Sequence, residues 1–98
     1  MELIKVTNLI QQNRADLDRH AVKSLAVFGS VARGEAAATS DLDVLVEFSK
    51  PVGLFEFIRL KKFLEDLTGC KVDLVTQDAL HPAMRETILT ECKPIPYF

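Results

Sequence analysis

Net charge is nearly absent from this chain: 12 Lys and Arg against 14 Asp and Glu leave −2 over 98 residues. That balance excludes a general attraction to nucleic acid, so direct nucleic-acid binding is not expected and any contact would need a local basic patch. Cysteine is scarce. Cys70 and Cys92 lack CxxC spacing, and His20 and His81 stand at no ligand spacing to them, which argues against a disulfide framework or a cysteine–histidine metal set. Reduced, buried thiols in a cytoplasmic protein are the simpler reading. Long apolar runs are missing as well. Nothing approaches the ~20 residues of a membrane span, so no membrane partner is expected. The opening "MELIKVTNLI" mixes charges into its apolar residues and does not read as a secretory leader.

What is there is ordinary globular composition, 48% hydrophobic and 27% charged, and residues 1–98 read as a single domain. Leu3, Val6, Ile10 and Leu17 recur at helical spacing, which predicts an amphipathic helix over 2–18. A strand over 22–28 ends at Gly29. The stretch "DLDVLVEF", 41–48, alternates strictly: Leu42, Val44, Val46 and Phe48 face one way, Asp41, Asp43, Leu45 and Glu47 the other. Residues 54–69 predict the clearest helix, with Leu54, Phe57, Ile58, Leu64 and Leu67 on its apolar side and Gly69 at its C-terminal cap. Phe55, Phe57 and Phe63 read as core. A strand over 71–76 contains Asp73, and Pro82 suits the first turn of a last helix over 82–91. The tail "KPIPYF" is too rich in proline for a central strand.

The resulting order is α-β-β-α-β-α, an α/β (α+β) fold with helices packed on a small mixed sheet. A helix joins the second and third strands, which should therefore run parallel through a right-handed crossover. The short loop between the first two strands makes them antiparallel neighbours, and it brings Gly29-Ser30 beside Asp41 and Asp43.

Carboxylates on a strand need a reason. Asp43 is flanked by Leu42, Val44 and Leu45, where an unpartnered charge is costly. Alternation puts Asp41 and Asp43 on one face, roughly 7 Å apart, and an adjacent third strand would add Asp73 at about 4.8 Å laterally. Like charges this close disfavour ionisation, and hard divalent cations such as Mg²⁺ remove the conflict. Two such ions can clamp both oxygens of an in-line displacement at phosphorus. Gly29-Ser30 then supplies a close-approaching backbone, a hydroxyl and the N–H groups of a following helical turn for phosphate. A P-loop is excluded, because Glu35 and Ala36 stand where Lys and Ser or Thr are needed. Taken singly, Asp41 also suits a turn cap and Asp73 an ion pair with Lys71. Arg33 reads equally as a triphosphate contact and as a solvated turn residue. Thr39 and Ser40 read equally as phosphate contacts and as loop.

Gly29-Ser30, ten residues, then Asp41-Leu42-Asp43 resembles the GS-x10-DxD signature of the polymerase-β-like nucleotidyltransferase superfamily. "FGSVARGE" and "SDLDVLVEF" are particularly similar to the minimal nucleotidyltransferases of bacteria and archaea, and Asp73 in "KVDLV" matches their third carboxylate. The resemblance spans most of the chain, from about Val22 to the last helix. It implies the nucleotidyltransferase fold and transfer of a nucleoside monophosphate, AMP from ATP, to a hydroxyl acceptor. Asp41, Asp43 and Asp73 would be the catalytic and metal-holding residues for two Mg²⁺ ions, or Mn²⁺. Gly29, Ser30, Arg33 and Ser40 would bind the nucleotide. Minimal members of the family are often antitoxins paired with a helical HEPN-domain toxin. The implied acceptor is therefore a tyrosine of such a partner. The alternative is a non-catalytic module that neutralises the partner by contact. Self-association is left open.

Overall fold

The computed structural model describes residues 2–35 and 41–96. The chain runs through α1 (Leu3–Gln12), α2 (Arg14–Arg19), β1 (Val22–Phe28), α3 (Gly29–Ala32), β2 (Leu42–Phe48), α4 (Leu54–Thr68) and β3 (Val72–Thr76). A 3-10 turn (Gln77–Ala79), α5 (Pro82–Glu91) and β4 (Lys93–Pro94) complete it. The strands form one sheet in the order β3-β2-β1-β4. As expected, β1 and β2 pair antiparallel and β2 and β3 parallel. The proline-rich tail contributes only the short edge strand β4, antiparallel to β1.

Alternation decides what each sheet face does. Leu42, Val44 and Val46 of β2 are buried, with Val27 opposite Val44, Leu25 opposite Val46 and Leu74 level with Val44. These side chains join Val6 and Ile10 of α1, Leu17 of α2, and Leu60 and Leu64 of α4 in the core cluster. The opposite face carries Ser24, Ala26 and Phe28 across from Glu47, Leu45 and Asp43, with Asp73 and Val75 beside them. Asp73, Ser24 and Glu47 on that face are exposed.

Three expectations are corrected. The helix over 2–18 is two helices broken at Asn13, whose backbone leaves the helical region. The Asn13 amide donates to the Leu9 carbonyl at 2.8 Å, a local bond that competes with the helical ladder. The buried stripe of α4 is Leu60, Leu64 and Thr68, whereas Leu54 and Ile58 are 71% and 50% exposed. Phe55 is likewise exposed at 79%, not core, while Phe57 and Phe63 do pack against the cluster. The residues that reach the core from α4 are Phe57, Leu60, Leu64 and Thr68, at helical spacing, and Phe57 meets Phe48 of β2 with ring centroids 6.5 Å apart, so Leu54, Phe55 and Ile58 fall off that stripe.

Candidate active site

Two strand pairings build the centre of the site. Phe28 lies opposite Asp43 in the antiparallel β1–β2 pair, and Asp43 is level with Asp73 in the parallel β2–β3 pair. Adjacent strands are about 4.8 Å apart, so Asp43 and Asp73 project side by side from the open face. Asp41 enters β2 one alternation step earlier and is exposed. Leu42 N–H donates to the Lys71 carbonyl at 2.9 Å, which locks the two strand starts together.

Gly29 follows Phe28 and opens α3 with φ of 71°, a left-handed value that glycine adopts without strain. Its open side faces Asp43. A Cβ added at Gly29 would stand 3.1 Å from Asp43 Cγ and closer still to Oδ2. The glycine thus makes room for the carboxylate itself. The turn is closed by Arg33 N–H to the Gly29 carbonyl at 3.2 Å and Glu35 N–H to the Ser30 carbonyl at 2.9 Å. Ser30 is half-buried at the start of α3, whose first-turn N–H groups have no intrahelical acceptor.

Burial is the first cause that raises the Asp43 carboxyl above its ordinary value. The negative charges of Asp73 and Asp41 add to it, and the Arg33 guanidinium opposes them. Asp73, Asp41 and Arg33 therefore all act on the Asp43 carboxylate. Arg33 is exposed, bonded through Nε to Glu35 at 3.0 Å and paired through Nη1 with Glu91 of α5 at 3.6 Å. No ion pair joins Lys71 to Asp73, so the simplest structural reason for Asp73 is not realised among the described residues. Glu47 is paired with Lys23 at 3.1 Å, away from the carboxylates. Ser40 and Thr39 lie outside the described residues.

The donor set suits a hard cation. It is all carboxylate oxygen, and its uncompensated charge is what Mg²⁺ or Mn²⁺ relieves. Among the described residues no three His, Cys, Asp or Glu side chains are already gathered at metal-ligand spacing. Asp41 and Asp73 are exposed, so drawing them toward Asp43 costs side-chain freedom and like-charge repulsion, and a bound cation would remove the repulsion. A hollow of ≈ 900 Å³ lies at the other end of β2 and β3, lined by Phe48, Leu54, Phe57 and Thr76 among others. It contains none of the three aspartates, and chemistry rather than volume locates the site.

Sequence reasoning missed two features here. The pairing of Arg33 with Glu91 joins residues far apart in the chain. The bond from Val72 N–H to Glu65 Oε2, at 3.1 Å, fastens the residue before Asp73 to α4. Neither leaves a local pattern.

Comparison with known proteins gives the family. Residues 6–95 match the family model described as a nucleotidyltransferase domain. A relative from Thermococcus cleftensis, named protein adenylyltransferase MntA, is 37% identical over 92 residues, covering 93% of this chain and 93% of its own length. Among solved structures, one described as a candidate minimal nucleotidyltransferase superposes with a TM-score of 0.79 at 41% identity, covering 98% of this chain and 96% of that one. The fold also recurs in a complex of the tri-AMPylated Shewanella oneidensis HEPN toxin with MNT antitoxin. There the TM-score is 0.58 and the identity 18%, over 87% of this chain and 70% of that one. With a family model matched along nearly its whole length, and relatives above one-third identity, the chain belongs to the nucleotidyltransferase domain family.

Proposed function

We propose that this single domain is a metal-dependent protein adenylyltransferase that moves AMP from ATP onto a tyrosine hydroxyl of a HEPN-domain partner, and so acts as an antitoxin. The observation that carries the reading is the lateral register of Asp43 and Asp73, with the Asp43 carboxylate seated against Gly29. A strand start with three carboxylates and no cation among the described ion pairs of Asp73 is an arrangement for holding divalent ions, not for stability. The adenylyltransferase name of the Thermococcus relative and the AMPylated toxin in the Shewanella complex support the donor and the partner class. The two cysteines are free thiols, half-buried and not fully buried as expected, and unpaired thiols support a cytoplasmic setting. Among the described residues no helix is long and apolar enough to cross a membrane.

Asp41, Asp43 and Asp73 would hold two Mg²⁺ ions. Bound there, the ions would supply charge neutralisation on the triphosphate and the attacking oxygen. The chain's own groups do the positioning. Gly29 keeps the Asp43 carboxylate in place, and the turn at Gly29-Ser30 offers N–H and hydroxyl donors to the phosphates. Arg33, within electrostatic reach of Asp43, would exchange its exposed pairs with Glu35 and Glu91 for the phosphates, and Ser40 precedes the first aspartate. Asp73 Oδ accepts the proton of the acceptor hydroxyl. The acceptor oxygen bonds to the α-phosphorus as the bond to the bridging oxygen breaks, and pyrophosphate leaves.

Label transfer tests this. The protein is incubated with Mg²⁺ and ATP labelled at the α- or the γ-phosphate, with host lysate as acceptor source. A protein band labelled from α but not γ, and lost in Asp43→Asn and Asp73→Asn, is the expected result. Neutralisation of a partner that persists unchanged in Asp43→Asn would sink catalysis and leave inhibition by contact.

A further inference from the structure

Strand β3 is at the edge of the sheet, so its outward N–H groups have no strand partner. The Lys71 carbonyl points inward and accepts the Leu42 N–H, so the N–H of the next residue, Val72, points outward. Glu65, in the last turn of α4, meets it: Oε2 accepts the Val72 N–H at 3.1 Å. Val72 is 1% exposed, so water does not readily replace that acceptor. The backbone of Glu65 is engaged as well. Its carbonyl accepts the N–H of Gly69, the left-handed cap of α4, at 2.8 Å. One residue thus grips both ends of the link between α4 and β3.

The residue after Val72 is Asp73. The resulting chain of fixed contacts runs from α4 through Glu65 to Val72, and across the Lys71–Leu42 bond to β2, where Asp43 stands level with Asp73. We propose that Glu65 is a positioning residue that holds Asp73 at its register beside Asp43, and so sets the geometry of the cation site without touching the cation. This rests on the reading of Asp73 as a metal-holding residue. What the bond supplies is an acceptor oxygen for a buried N–H that the sheet edge leaves without one. An edge strand held only by its inner neighbour would let the Asp73 backbone fray, since strand ends open first.

The test uses the full chain and Mn²⁺ alone, titrated by electron paramagnetic resonance, with amide hydrogen exchange read at Val72 and Asp73. In Glu65→Ala, exchange at both amides accelerates and Mn²⁺ affinity falls by about tenfold, the scale of lost outer partners at metal sites. In Glu65→Gln, which keeps an acceptor oxygen at the same reach, both stay within about twofold of wild type. Glu65→Asp, one methylene too short, behaves like Glu65→Ala and serves if the alanine variant does not fold. Unchanged Mn²⁺ affinity in folded Glu65→Ala or Glu65→Asp overturns the proposal, even if melting temperature drops, because a purely structural cap would lower stability alone. Unchanged protection at Val72 in those two variants overturns it too. Asp73→Asn separates the two layers. Mn²⁺ binding that survives Asp73→Asn removes the metal-holding role of Asp73, whereas binding that is lost in Asp73→Asn but not in Glu65→Ala removes the role of Glu65.

Discussion

Replacing Gly29 by alanine perturbs the site through one added carbon, and its cost divides into two parts. The first is backbone strain: φ is 71°, and a left-handed conformation costs an L-residue about 1–2 kcal/mol. The second is the approach of the new Cβ to Asp43, whose Cγ would be 3.1 Å away and Oδ2 closer still. The obstructing atoms are the end of a side chain, so Asp43 can swing aside for about 1 kcal/mol of rotamer cost or less. Stability should therefore fall by only about 1–3 kcal/mol, or a Tm loss of about 4–8 °C per kcal/mol for a domain of this size. The carboxylate, however, moves by about an ångström, and misplacement on that scale costs about 10²-fold in rate. Gly69→Ala is the control. Gly69 has φ of 69° but open space where its Cβ would stand, so it carries the strain without the displacement. Thermal melts of both variants should drop comparably. Label transfer, measured well below both melting temperatures, should collapse only in Gly29→Ala. In an Asp43→Asn background the Gly29→Ala change should add little further loss, since both act on one group. Equal activity in Gly29→Ala and Gly69→Ala would refute the reasoning outright.

Other outcomes follow from single features. Because burial, Asp73 and Asp41 raise the Asp43 carboxyl above its ordinary value of 3.8, its stabilising contribution is complete below that value and lost as pH rises through the folded one. In EDTA at neutral pH, Asp43→Asn should thus melt higher than wild type, the gap closing on acidification toward pH 4, while added Mg²⁺ should raise only the wild type. Leu64 is fully buried in the core cluster, so Leu64→Ala should cost about 2–5 kcal/mol by urea unfolding, with binding of Mn²⁺ retained in the folded fraction. Ala21 has φ of 61°, and relief of that strain, about 1–2 kcal/mol, should offset the lost methyl burial, about 0.8 kcal/mol, and the added chain freedom, about 0.5–1 kcal/mol. Ala21→Gly should therefore lie within about 1 kcal/mol of wild type, and a loss beyond 2 kcal/mol would show that the methyl packs more than its φ costs.

The sequence by itself determined whatever depends on near neighbours. Strict alternation across 42–48 set which side chains of β2 enter the core, and the turn residues Gly29, Gly69 and Pro82 marked the ends of β1 and α4 and the start of α5. The short link between β1 and β2 and the helix between β2 and β3 left one pairing direction for each. The motif of glycine, serine and spaced aspartates was legible for the same reason, as a pattern within 15 residues of chain. Tertiary structure decided the rest. An apolar helix such as α4 offers more than one stripe, and only docking chooses Phe57, Leu60 and Leu64, so Leu54, Phe55 and Ile58 read as core yet stand in solvent, and Leu60 went unnoticed. The break at Asn13 is a contest between one side-chain bond and a helical ladder, which helical spacing alone does not reveal. Asp73 faces Asp43 only because β3 docks in one register out of several, fixed by Val72 and Leu74 packing level with Leu42 and Val44. The need for glycine at position 29 has the same origin: the atom that fills its empty side comes from a strand 14 residues away, brought there by pairing.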